Sequence, residues 1–320
     1  MSDDLLGFLD NLEPVKPAAP KAASPVKPAG AGSAAPPSPA APPKEEKEKE
    51  DPILDLRVGC PICTEEGIHH YELKAKSLAV ILDRFCVPLY RPTPKYKMVD
   101  YNLITVTVCP SCLFASPDRR DFAAKSGITG KVEKSQLQAA VIADLQNLAQ
   151  ERKALYKELK GSPNLFDRAR SAESAILSYR LAVLRADNEI KHKVPYANFK
   201  RGFYWVKIAH LEKRVGRPVE VQEKSLAEAL ASYQTAFTQT DFPNEDLEYQ
   251  TAYSLAAILI RLKQEKEGMK FVSALDKYRA DIEQRAKKNP AVNTAFIKKW
   301  LGIAREMWER KDEPEYWEVK

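Results

Sequence analysis

A chain of 320 residues exceeds the usual size of one domain, so at least two structural units are expected. Its 44% apolar residues support a core, and its 29% charged residues suit a protein in water. The net charge of +6 divides into −2 over residues 1–50, +2 over 51–135 and +6 over 136–320, too dilute for a general duplex-binding surface. The start, Met1-Ser2-Asp3-Asp4, is acidic where a secretory signal is basic. Apolar runs such as "SLAVIL" and "YSLAAILI" are far too short to span a bilayer. A cytoplasmic location without membrane insertion is therefore expected, where thiols stay reduced and paired cysteines favour metal or catalysis over disulfides.

Residues 1–13 read as a short amphipathic helix. At 100° per residue, Leu5, Phe8, Leu9 and Leu12 fall within about 100° of arc. Ser2 caps its start, Asp3 and Asp4 suit the positive end of the helix dipole, and Pro14 ends it by restricting Glu13. So short a helix, with Gly7 inside, cannot stand alone in water. These four side chains are expected to grip a protein partner, in this chain or another. Residues 14–52 read as a disordered tether, with ten prolines among residues 14–43 followed by "KEEKEKED". As a coil it spans on the order of 35 Å.

Residues 53–118 read as a β-rich module. "ILDLRV" leads into "GCPIC" and "IHHYEL" leads away, predicting strand, tight turn, strand. "YNLITVTV" carries the strongest strand pattern, with Asn102, Ile104, Val106 and Val108 on one face. The proline-broken "CVPLYRPTPKYK" between them is expected to be loop. Residues 119–312 read as a helical domain, followed by a C-terminal tail at 313–320. Helices are predicted over roughly 134–160, 165–187, 196–214, 222–239, 245–264, 266–286 and 291–309, with breaks at "KGSPN", "KHKVP", "VGRP", "DFPNE" and "KKNP". Ala175-x3-Tyr179-x2-Ala182 recurs as Ala229-x3-Tyr233-x2-Ala236, the small–aromatic–small pattern of a tetratricopeptide-type hairpin. The expected fold class is thus α+β: a metal-stapled β module, then tetratricopeptide-like helical hairpins.

The chemistry concentrates in two CPxC pairs, Cys60-Pro61-Ile62-Cys63 and Cys109-Pro110-Ser111-Cys112. Two such loops supply the four soft ligands that tetrahedral Zn²⁺ takes. The 45 residues between the pairs exceed the spacing of a compact ribbon. Lengthening the loop from a compact ribbon's costs only roughly 0.9 kcal/mol, against ~10–16 kcal/mol for structural zinc. Four thiolates leave the ion no open position, so a structural role follows. Two other readings stay open: C-P-x-C also occurs in thiol oxidoreductases, and nearby cysteines can simply be small buried residues. Cys86 is left over, as a buried thiol. His69 and His70 adjoin the first pair as alternative ligands. No Gly-rich phosphate loop, nucleophile elbow or HExxH occurs, so nothing points to an enzyme.

Taken in order, these features resemble the bacterial family known as domain of unknown function 2225. The resemblance rests on Cys60–Cys63, Lys74-Ala75-Lys76-Ser77, Asp83-Arg84-Phe85, Cys86-Val87-Pro88-Leu89-Tyr90 and Val108–Ala115, and covers about residues 56–280. The family often has glycine after each pair; here Thr64 and Leu113 stand instead. The resemblance implies a zinc-ribbon-like module followed by tetratricopeptide-like helices, and a metal, but no agreed activity. It also implies that Arg84, Cys86 and Tyr90 share a pocket or a fixed loop beside the metal. The plainer alternative has Arg84 bridging loop carbonyls and Tyr90 packing under the knuckles.

The expected function is a non-enzymatic cytoplasmic adaptor that binds protein partners through its helical hairpins and its tethered N-terminus. A nucleic-acid-binding ribbon is the alternative, since Lys74, Lys76, Arg84, Arg91, Lys95 and Lys97 interleave with Phe85, Tyr90 and Tyr96. A thiol-redox protein is the third reading. The sequence does not identify the partner or the oligomeric state.

Overall fold

The computed structural model describes residues 48–125, 132–158, 164–239, 242 and 244–318. The N-terminal helix expected over residues 1–13, with Leu5, Phe8, Leu9 and Leu12, lies outside the described residues, as does the tether up to residue 47. The last residues assigned to the tether are built into the fold. Glu50 bridges to Tyr96 in parallel, and Asp51 pairs with Arg168.

β1 (Ile53–Gly59) and β2 (Ile68–Leu73) pair antiparallel from Ile53↔Leu73 to Val58↔Ile68, with the first CPxC loop between them, as the sequence suggests. β3 (Ala79–Leu82) and β4 (Pro88–Arg91) form a hairpin, so residues 88–91 of the stretch expected to be loop are strand. Two local devices make the hairpin possible. Asp83 Oδ1 accepts from the N–H groups of Phe85 and Val87, each at 2.8 Å, and Cys86 takes a left-handed φ of 63° that closes the turn. Pro88 is tolerated because it is the first residue of its strand.

"YNLITVTV" corrects the second expectation. Tyr101–Leu103 is a 3-10 turn capped by the Asp100 side chain, and only Thr107–Val108 (β5) is strand, paired with Ala115–Ser116 (β6). The Asp100 cap, together with the bond from Asn102 Nδ2 to Pro88 O (2.7 Å), outweighs the β propensity of the run. The burial pattern survives nonetheless: Asn102, Ile104, Val106 and Val108 are all buried.

The sheet continues past residue 118, where helical sequence was expected to begin. Asp118 caps a turn over Arg119–Asp121 that returns the chain to β1. There β7 (Ala123–Lys125) pairs through Val58↔Ala124 and Gly59↔Ala123, and β8 (Val132–Glu133) pairs with β7. The resulting order is β2-β1-β7-β8.

Eight α-helices follow among the described residues: α1 (Ala139–Asn147), α2 (Ala149–Glu158), α3 (Ala172–Lys191), α4 (Ala197–Arg214), α5 (Val219–Gln239), α6 (Glu245–Arg261), α7 (Glu265–Lys288) and α8 (Ala295–Glu309). The single helix expected over 134–160 is two, broken at Leu148. From α3 onward, neighbours in sequence pack on one another as hairpins. Ser171 caps α3 and Asn244 caps α6 through their side chains. All six residues of the internal echo are buried. The second tyrosine needs Gly202 on α4, because a Cβ there would stand 2.7 Å from the Tyr233 ring. No helix of the described residues is long and apolar enough to cross a membrane. The tail is packed as far as residue 318: Pro314–Tyr316 is a short turn, and Tyr316 and Trp317 are buried.

The architecture is α+β, and its two parts share one interior. Val87, Val106, Val108, Leu113 and Ala115 from the β module join the core formed by α3, α4 and α5. A buried ion network crosses the same boundary. Arg185 of α3 reaches Asp121 at 2.9 Å, Glu189 at 2.6 Å and the Ser116 hydroxyl at 3.0 Å.

Candidate metal centre

The two CPxC loops are built alike. In the first, Cys60 N–H donates to Glu65 O (2.7 Å) and Thr64 N–H to Cys60 O (3.1 Å). In the second, Cys109 N–H donates to Phe114 O (2.8 Å) and Leu113 N–H to Cys109 O (3.0 Å). Each turn ends on a left-handed residue, Thr64 at φ 63° and Leu113 at φ 60°. These are the positions after each pair, and the backbone they adopt is the one glycine takes without strain. Thr64 and Leu113 therefore preserve the turn at a steric cost. The Ser111 hydroxyl joins the two loops by donating to Glu65 Oε2 at 2.6 Å.

The turns bring Cys60, Cys63, Cys109 and Cys112 together, with all four sulfurs within 4.8 Å of one another. Cys60 Sγ is 3.5 Å from Cys112 Sγ, and Cys63 Sγ is 3.5 Å from Cys109 Sγ. No disulfide joins them. The spacing is far longer than a disulfide bond and close to the ~3.8 Å edge of a tetrahedron with metal–sulfur bonds of about 2.3 Å. Sulfurs this close oppose one another's ionisation. Hydrogen bonding to Cys109 and then Cys112 raises the Cys60 thiol far above its usual range. Cys109 is pushed up, mainly by Cys112, while Cys112, accepting from Cys109 and then Cys60, is pulled down. The donor set fits a cation at its centre, which alone would allow four thiolates to coexist.

The site rests on its own small core. Val58, Ile62, Ile68, Phe114 and Phe122 of the β module meet Val141 and Leu145 of α1. Arg152 of α2, almost fully buried, donates from Nε to Cys112 O (2.8 Å) and from Nη1 to Leu145 O (2.7 Å). Sequence reasoning passed over Arg152. Its signal was the stripe Val141, Leu145, Leu148, Arg152, in which a charged residue stands where the apolar face of a helix would continue. The histidines are engaged elsewhere: His69 Nδ1 lies 2.8 Å from Asp55, and His70 Nδ1 lies 2.8 Å from the Thr107 hydroxyl.

Arg84, Cys86 and Tyr90 do not form one pocket. The β3–β4 hairpin, with Arg84 and Cys86 in its turn and Tyr90 on β4, sends each side chain a different way. Arg84 lines a small pocket with Asp83, His210, Lys213, Arg261 and Trp317. Its Nε donates to Tyr316 O at 3.2 Å, and its guanidinium lies 3.8 Å from the centre of the Tyr316 ring. It bridges a carbonyl, but one belonging to the C-terminal segment. Cys86 is buried in the core of α6, α7 and α8, 3.7 Å from the Ser254 hydroxyl, and burial pushes its thiol up to about 12. Tyr90 packs edge-on against Tyr101, in neither the pocket lining nor the core of the cysteine knuckles.

A ribbon-like four-cysteine module joined through a common core to a stack of helical hairpins is the class of protein that this fold and site define. The chain belongs to the family described as "uncharacterized protein conserved in bacteria (DUF2225)", whose model matches residues 53–300. Comparison with curated proteins and with solved structures gave no match.

Proposed function

We propose that the four cysteines hold a structural zinc ion and that the protein is a non-enzymatic cytoplasmic adaptor. The observation that carries the first half is the convergence of four sulfurs at tetrahedral spacing on two matched turns. Thiolate donors select zinc or iron among the common divalent ions, and a closed set of four leaves no coordination position for a substrate or water. The ion would tie the two ends of the β module together. The stack of helical hairpins supports the second half, since such stacks offer continuous surfaces for peptides and helices. The amphipathic pattern of residues 1–13 adds a second contact whose local concentration the tether sets.

Metal analysis of the purified full chain tests the zinc centre. About one zinc per chain is expected, with Cys60, Cys63, Cys109 and Cys112 unreactive to thiol reagents until a chelator or denaturant is added. Stoichiometric iron would overturn the zinc assignment. A folded, metal-free protein that cycles between dithiol and disulfide would overturn the site itself and favour redox chemistry. For the adaptor reading, cross-linking with and without residues 1–13 should show partners that depend on that segment. Unchanged partners with a lowered melting temperature would place the segment on its own chain instead.

A further inference from the structure

Arg152 is a buried cation whose partners do not explain its charge. It is 1% exposed; two of its nitrogens meet carbonyl oxygens, and its Nη2 is fully enclosed without a hydrogen-bond partner. It forms no ion pair with any described carboxylate. Arg185, equally buried, is by contrast held between Asp121 and Glu189. A guanidinium taken out of water demands an anion nearby or carries a heavy desolvation penalty. Among the described residues Arg152 meets only the backbone of Cys112 and the C-terminal end of α1, while the Cys112 side chain belongs to the sulfur cluster. A divalent ion with four thiolates makes a site of net charge −2, and this guanidinium is hydrogen-bonded to the backbone of one of its four cysteines.

We propose that Arg152 is the counter-charge of the metal centre and that it fastens α2 to the second cysteine knuckle when the ion is in place. This rests on the metal reading above and goes beyond it by assigning the site an electrostatic partner outside the β module. Arg152 touches no sulfur through its two hydrogen bonds, so it is a positioning residue rather than a ligand. The arrangement has a consequence for the helices. Loss of the ion leaves the guanidinium without its anion, so α1 and α2 should loosen when the metal leaves.

Zinc affinity of the full chain, measured by competition with a chromophoric chelator, separates charge from hydrogen bonding. Arg152→Gln keeps a donor and loses the charge; Arg152→Lys keeps the charge and loses the planar fork. Arg152→Gln should weaken zinc binding by roughly 10–100-fold, the usual effect of removing a residue that supports a metal site, with Arg152→Lys remaining within a few-fold of the natural chain. Arg170→Gln is the control, because Arg170 is also buried and bound to a carbonyl, Val106 O at 2.7 Å, but does not contact the cysteine loops. It should leave zinc affinity unchanged. Hydrogen exchange across residues 139–158 gives a second readout. In the natural chain, stripping the zinc should speed exchange there, and in Arg152→Gln the zinc-loaded protein should already exchange fast.

Unchanged affinity in Arg152→Gln, or an equal loss in Arg152→Lys, would overturn the proposal and leave Arg152 as a carbonyl clamp. Should Arg152→Gln fail to fold with zinc present while Arg152→Lys folds, charge is again the deciding property. Failure of both refutes it. A natural chain that takes up no zinc refutes the metal reading instead, and that result is visible before any variant is made.

Discussion

Lys207 is a lysine in a place built for an apolar residue. Its side chain is 3% exposed on α4, donates to Asn102 Oδ1, and holds its ammonium 5.0 Å from the centre of the Phe203 ring. It pairs with no described carboxylate, and Asp83 acts on it only at a distance. Burial pulls its pKa from 10.5 down to about 7. At about 1.4 kcal/mol per pH unit, that fall corresponds to roughly 5 kcal/mol of stability given up by the folded state. The folded-state value is the depressed one, so between pH 7 and 10.5 the unfolded chain binds more protons and stability rises with pH. Below pH 7 the full cost is present. Lys207→Met removes the charge at similar volume but strands the Asn102 oxygen, costing ~1–3 kcal/mol. The variant should therefore be more stable than the natural chain by roughly 2–4 kcal/mol near pH 6.5, with the advantage gone or reversed near pH 10. Denaturant unfolding of both proteins side by side at several pH values checks this, since groups common to both cancel. A variant equally destabilised at every pH would refute the reasoning.

Two further outcomes follow from the backbone. Thr64→Gly should stabilise the folded protein by about 1 kcal/mol, because a β-branched residue held left-handed carries ~1–2 kcal/mol of strain that glycine lacks; differential scanning calorimetry would register it, and a lower melting temperature would contradict it. Gly202→Ala should cost about 1–2 kcal/mol despite alanine's better helix propensity, since its Cβ would press on the buried Tyr233 ring; a stability equal to or above that of the natural chain in equilibrium unfolding would show that the ring can give way.

The cysteine site was legible because its chemistry is local: each CPxC loop declares two ligands, and only their meeting needed the structure. The tyrosine echo was legible for a similar reason, since Tyr179 and Tyr233 lie on helices whose period is written in the surrounding residues. What stayed hidden depends on particular side-chain hydrogen bonds, some local and some across long sequence distances, that propensity does not register. Propensity favours a strand over "YNLITVTV", yet the Asp100 cap and the Asn102 bond to Pro88 O win. "CVPLYR" pairs as a strand because Asp83 organises the turn before it, a device that proline content conceals. Arg84, Cys86 and Tyr90 look like one group in sequence, and the β3–β4 hairpin disperses them. Arg152 takes its meaning from Cys112, 40 residues away, which no local pattern announces.

The common interior of the β module and the helices determines how this protein can be divided. Val87, Val106, Val108, Leu113 and Ala115 complete the core of α3, α4 and α5, while Arg185 is neutralised partly by Asp121. A fragment ending after β8 would bare those apolar side chains, and the complementary fragment would bury an arginine short of one carboxylate. Neither half should fold by itself. The four-cysteine ribbon is best understood as the first layer of one cooperative unit, so unfolding should be a single transition in which ribbon and helices are lost together.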